Sequence, residues 1–201
     1  MRYRGYSSPG FSMVGYIIIT CVALWIAVSV NRDLISLFGF QPQDLLDMKQ
    51  PWTMVTSMFV HARFPNFSHV LFNMLVLYFF GGVLISLVGE KRFLALYLLG
   101  GLAGNIVFML LNLGYPLATV IGASGAIFAV EGALMVMRPR LPVIIFPIPV
   151  PVPLWVSVIG AFVLTSFVAS IAWEAHLGGF VVGLVAGYYF RRREMRSGWR
   201  R

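Results

Sequence analysis

Uncharged apolar runs of about 20 residues recur along this chain, and they limit its possible folds more than any other feature. An α-helix rises about 1.5 Å per residue, so about 20 apolar residues match the roughly 30 Å hydrocarbon core of a bilayer. Residues 11–30, 70–89 and 93–113 contain no charged side chain. Residues 122–137 carry one acid, Glu131, and are closed by Arg138. Residues 141–172 are uncharged, but Pro142, Pro147, Pro149, Pro151 and Pro153 crowd their start. Proline is poor in a helix interior and tolerated in the first turn. A helix over 153–171 is therefore expected after an extended connection. Residues 175–190 form the last run, ended by Arg191, Arg192 and Arg193. The expected fold is all-α and polytopic, six membrane helices forming a single domain over 1–201.

Between the first two runs, residues 31–68 mix Asp33, Asp44, Asp47, Lys49, His61 and Arg63 with short apolar patches. This segment is expected to lie in the membrane interface as short amphipathic helices, with Trp52 as an anchor. Arg2 and Arg4 precede the first run as they would in a signal peptide. That run is too long for a signal sequence and has no small-residue cleavage site, so it reads as a retained helix.

The net charge is +8, with 15 Lys and Arg. With six spans both termini share one side. That side holds Arg2, Arg4, Lys91, Arg92, Arg138, Arg140, Arg191, Arg192, Arg193, Arg196, Arg200 and Arg201; the other holds Arg32, Lys49 and Arg63. The bias places both termini in the cytoplasm of a cell-membrane protein. Contact with anionic headgroups then accounts for the charge without nucleic acid. One cysteine, Cys21, allows no disulfide framework. Three histidines and no His-Glu-x-x-His leave no metalloprotease centre. No cofactor or metal is expected.

Topology also sets depth. Ser124 lies 14 residues before Arg138, and His176 lies 15 before Arg191. Both helices run inward, so both residues sit about 21–22 Å above the cytoplasmic boundary. His69 and Asn73, four apart at the outer end of another inward helix, share one face. Each feature has a plain structural reading. Gly122, Ser124 and Gly125 could be a small-residue packing face, as could Gly179 and Gly183. His176 could bond a neighbouring carbonyl, and Asn73 could join two helices. Glu131 reads as a snorkelling or ion-paired residue near Arg138, and His61 as an exposed interfacial histidine. Together, however, a serine, histidines and an asparagine at one level in a membrane make up an acyl-transfer site. Serine needs a base to take its proton, histidine suits that task, and a developing oxyanion needs preorganised donors. His69, Asn73 and the backbone N–H of Ser124 are the candidate donors.

At these residues the chain resembles the rhomboid intramembrane serine proteases, in their minimal six-helix prokaryotic form. The motifs are His69-Val-Leu-Phe-Asn73, Gly122-Ala-Ser124-Gly125, and Ala175-His176 followed by Gly179 and Gly183. Their order and spacing match over essentially the whole chain. The resemblance implies a Ser124 nucleophile and a His176 general base/acid, without a third acid. It implies oxyanion stabilisation by His69 and Asn73 and close helix packing at Gly179 and Gly183. The position that often carries a tyrosine stacked on the histidine is Phe128. Thr53 stands where an arginine usually follows the tryptophan, and Ile85 stands in place of an acid. The implied substrates are single-span transmembrane proteins, cut near the outer face from a cavity open to the outside. A mobile roof is expected around 170–174. A non-catalytic rhomboid-like client-binding protein, or a small transporter, are the alternatives.

Overall fold

The computed structural model describes residues 12–145, 150–168 and 171–198. Expectations for Arg2, Arg4, Phe11, Pro147, Pro149, Ser170, Arg200 and Arg201 fall outside them. Ten α-helices are described: α1 (Met13–Val30), α2 (Asp33–Phe38), α3 (Pro42–Leu46), α4 (Thr53–Thr56), α5 (Phe67–Val76), α6 (Gly82–Val88), α7 (Glu90–Leu111), α8 (Ser124–Met137), α9 (Leu154–Ser166) and α10 (Trp173–Gly198). A π-helical turn over Leu77–Gly81 joins α5 to α6, making one continuous span, Phe67–Val88.

Among the described residues, six helical segments build the bundle: α1, the α5–α6 span, α7, α8, α9 and α10. Three of them, Met13–Val30, Phe67–Val88 and Glu90–Leu111, are individually long and apolar enough to cross a membrane. Exposed Ile19, Ile26, Leu99, Ile159, Val163 and Val185 give the bundle an apolar exterior. A water-facing protein rarely carries so much apolar surface.

Helix α8 is central: Gly125 to Leu134 and Met137 are all buried. Its 14 residues span only about 21 Å, well short of the hydrocarbon thickness. Small residues let α10 approach it. A methyl on Gly179 would collide with the Gly125 carbonyl oxygen, and one on Gly183 with the Ala129 carbonyl oxygen. One on Gly187 would meet the Ala133 carbonyl oxygen at 2.6 Å. The 125/129/133 and 179/183/187 series interlock at four-residue spacing, so backbones touch where lipid gives no hydrophobic drive. On its far side α10 meets α7, where Gly178 leaves no room for a methyl beside the Ala103 carbonyl.

The second and third spans each begin three residues before their expected starts, at Phe67 and Glu90, and three further helices differ from expectation near the site. α8 starts at Ser124 rather than 122, because Gly122 has φ 122°, which no helix contains. α9 ends at Ser166 rather than 171; there the Thr165 and Ser166 hydroxyls bond back to Ala161 and Phe162 carbonyls, a pattern that bends and weakens helices. α10 starts at Trp173 and runs past 190, since its arginines are good helix formers. Trp173 and Glu174, expected in a mobile roof, therefore belong to the first turn of α10.

The 31–66 connection folds back against the bundle. Phe40 and Val120 form an antiparallel bridge, their mutual N–H···O bonds 3.0 and 2.9 Å long. The Trp52 indole N–H donates to the Leu37 carbonyl at 3.0 Å, tying the connection to itself. Thr53, the residue standing for an arginine, is buried and donates to the Gln50 carbonyl at 2.6 Å. A short hairpin pairs Pro142–Val143 with Val152–Pro153 ahead of α9.

Candidate active site

Ser124 is the first residue of α8, and Gly122 sets the chain up for it. The positive φ at Gly122 is strained for any L-residue with a side chain. A Cβ there would also stand 2.8 Å from His69 Nε2. The Gly122 N–H donates to the Ser57 carbonyl at 2.9 Å, pinning the turn to the folded-back connection. Ser124 then presents its hydroxyl at a helix N-terminus, where backbone N–H groups have no intrahelical partner and the dipole favours negative charge.

His176 comes from the second turn of α10. It is 3% exposed, and its Nε2 lies 2.8 Å from Ser124 Oγ. The close contact at Gly179 and Gly183 brings the helix near enough. The imidazole leans on Phe128 of α8, ring centroids 4.6 Å apart and planes tilted by 31°. Phe128 in turn meets Phe162 edge to face at 5.8 Å. The ring face is thus held by an apolar aromatic without a hydroxyl. Glu174 does not reach the imidazole; it accepts from Asn112 Nδ2 at 3.2 Å.

His69 and Asn73 stand on one face of α5, lining the same cavity as Ser124 and His176, about 660 Å³ in volume. The Ala62 N–H donates to His69 Nδ1 at 3.3 Å. A neutral imidazole accepting at Nδ1 carries its proton on Nε2, the nitrogen facing Gly122 and the serine. Asn73 Nδ2 donates to the His69 carbonyl at 2.7 Å, which uses one of its two amide hydrogens.

Two readings of the sequence need correction here. His61 is not an exposed interfacial residue: it is 0% exposed, and its Nε2 accepts the Ala123 N–H at 3.4 Å. Val60 and His61 are drawn inward, with the Trp25 indole N–H donating to the adjoining Ala62 carbonyl at 3.1 Å. Burial, helped by neighbouring His69, pushes the His61 imidazole down to about 3. It is therefore neutral and acts as an acceptor behind the turn that presents Ser124. Glu131 neither snorkels nor pairs with Arg138. It is 5% exposed and lines the cavity below Ser124. Arg138 instead forms a two-pronged pair with Glu194 of α10, one arm 2.9 Å long.

Sequence reasoning also missed Asn105 and Thr165. Asn105 donates to the Met54 carbonyl at 2.8 Å and to Ser57 Oγ at 2.9 Å, bracing the connection that holds Gly122. Thr165 stands beside His176. Among the described residues no three His, Cys, Asp or Glu side chains group as metal ligands would.

Chemically, a hydroxyl against an imidazole nitrogen, with N–H donors lining the same cavity, is a geometry suited to acyl transfer. The Rhomboid domain model matches residues 48–193. The chain is similar to "Rhomboid protein 1, mitochondrial" of Saccharomyces cerevisiae, 33% identical over 161 residues, covering 70% of this chain and 42% of that protein. It is similar to "RHOMBOID-like protein 12, mitochondrial" of Arabidopsis thaliana, 33% identical over 187 residues, 83% of this chain and 53% of that one. It is also similar to "Rhomboid protease GlpG" of Yersinia pestis, 24% identical over 189 residues, 90% of this chain and 63% of that one. The chain thus spans about half the length of the first two relatives. A domain match over most of the chain, on a six-helix membrane bundle, shows that this protein belongs to the rhomboid family.

Proposed function

We propose that this protein is an intramembrane serine endopeptidase whose single membrane domain hydrolyses peptide bonds with a Ser124–His176 dyad. The observation carrying the proposal is the 2.8 Å approach of Ser124 Oγ to His176 Nε2 in a cavity shared with His69 and Asn73. The Ser124 hydroxyl donates to Nε2, gives up its proton as Oγ attacks the scissile carbonyl, and forms a tetrahedral intermediate. The oxyanion is met by the Ser124 N–H, His69 Nε2–H and the Asn73 amide. His176 then protonates the leaving amine and later activates water to release the acyl group. Gly122 keeps a side chain out of the space between His69 Nε2 and the attacking oxygen.

The substrates are single-span transmembrane proteins, entering from the bilayer and cut near the outer face. The basic bias supports a cell-membrane protein with both termini in the cytoplasm and the cavity opening to the outside. The short α8 supports a recessed site: its N-terminus falls about 9 Å short of a full span. The crowding around Ser124 favours a small residue beside the scissile bond. A fluorophosphonate probe tests the dyad. It should label Ser124 in the wild type and fail to do so in His176→Ala; equal labelling of both would overturn the assignment.

A further inference from the structure

The imidazole of His176 has two nitrogens, and Ser124 occupies one. The other, Nδ1, lies 3.3 Å from Thr165 Oγ1 near the end of α9. That hydroxyl has a single proton and stands 2.9 Å from the Ala161 carbonyl oxygen and 3.1 Å from that of Phe162. Carbonyl oxygens can only accept, and both stand closer to Oγ1 than Nδ1 does, so they draw the hydroxyl proton towards its own helix. What Thr165 turns towards His176 is a lone pair. An Nδ1–H can donate to that lone pair, and Nε2 is then the bare nitrogen facing Ser124.

We propose that Thr165 is a positioning residue that selects the His176 tautomer able to take the proton from Ser124. The inference rests on the Ser124–His176 reading and adds a member from a third helix. Glu174, two residues from His176, is engaged with Asn112 at the end of α7, so a neutral hydroxyl does the orienting. Neutrality sets the size of the effect. A carboxylate that both orients a histidine and balances its charge is worth about 10⁴ in rate. A neutral hydrogen bond is worth roughly 0.5–1.5 kcal/mol, so its loss should slow the reaction about three- to tenfold.

The test compares the full-length wild type, Thr165→Val and Thr165→Ser in liposomes. It measures kcat and KM on a model transmembrane substrate and records ¹⁵N spectra of histidine-labelled protein. Thr165→Val should lower kcat about three- to tenfold with KM nearly unchanged, and Thr165→Ser should restore it. The spectrum should show His176 protonated at Nδ1 in the wild type, and shifted towards the Nε2 form in Thr165→Val. Unchanged kcat in Thr165→Val, or a wild-type His176 protonated at Nε2, would overturn the inference. If the wild type does not cleave, the dyad reading fails. The wild-type spectrum still decides on Thr165, even where Thr165→Val does not fold.

Discussion

Gly179 of α10 lies so close to the Gly125 carbonyl oxygen of α8 that no side chain fits between them. His176 sits one turn before this contact and Ser124 one residue before Gly125, so the contact sets their separation. Replacing Gly179 with alanine should push α10 outward. The strain should cost about 1–3 kcal/mol, and a displacement near 1 Å should cost about 10² in cleavage rate. Gly160 of α9 is the control, since a methyl there meets nothing within 4 Å. Gly160→Ala should leave cleavage intact. Thermal unfolding and substrate cleavage of both variants check this.

His69 is held with Nδ1 accepting from Ala62, which leaves Nε2–H as a donor towards the reacting centre. His69→Ala should lower kcat by about 10²–10³, the usual loss for one oxyanion donor, while KM moves little. Steady-state kinetics on a transmembrane peptide measure the split. An effect confined to KM would remove His69 from the oxyanion role.

Gly122 combines a positive φ with the nearby His69 ring. Gly122→Ala should destabilise the fold by about 1–3 kcal/mol and abolish probe labelling of Ser124. Denaturant unfolding and probe labelling report the two effects separately.

Burial holds His61 at about 3, below its ordinary 6.5, so the folded protein resists its protonation. The unfolded chain binds that proton first as pH falls. Stability from neutral His61 is full above 6.5 and is lost as pH drops from there towards 3. His61→Gln keeps an acceptor for the Ala123 N–H without titrating, and should flatten the fall in melting temperature over that window. An identical slope in both proteins would contradict the buried neutral state.

What could be read in advance was what local spacing encodes. Apolar run lengths marked the spans, and residue counts to Arg138 and Arg191 put Ser124 and His176 at one depth. Helical spacing put His69 and Asn73 on one face. Features fixed by distant contacts were not legible. Thr165 is an ordinary threonine until the register of α9 brings it to His176, and Asn105 matters only because the 53–57 turn reaches it. Arg138 was matched with Glu131 by proximity in sequence, whereas its partner Glu194 is 56 residues away. The polar segment around His61 reads as exposed, and only the inward turn at Val60 and His61 buries it.

The most direct measurement is cleavage of a single-span model substrate in liposomes by purified wild type, Ser124→Ala and His176→Ala. A cut by the wild type near the outer face, with neither variant active above background, is the predicted result. Cleavage by Ser124→Ala at the wild-type rate would contradict the account.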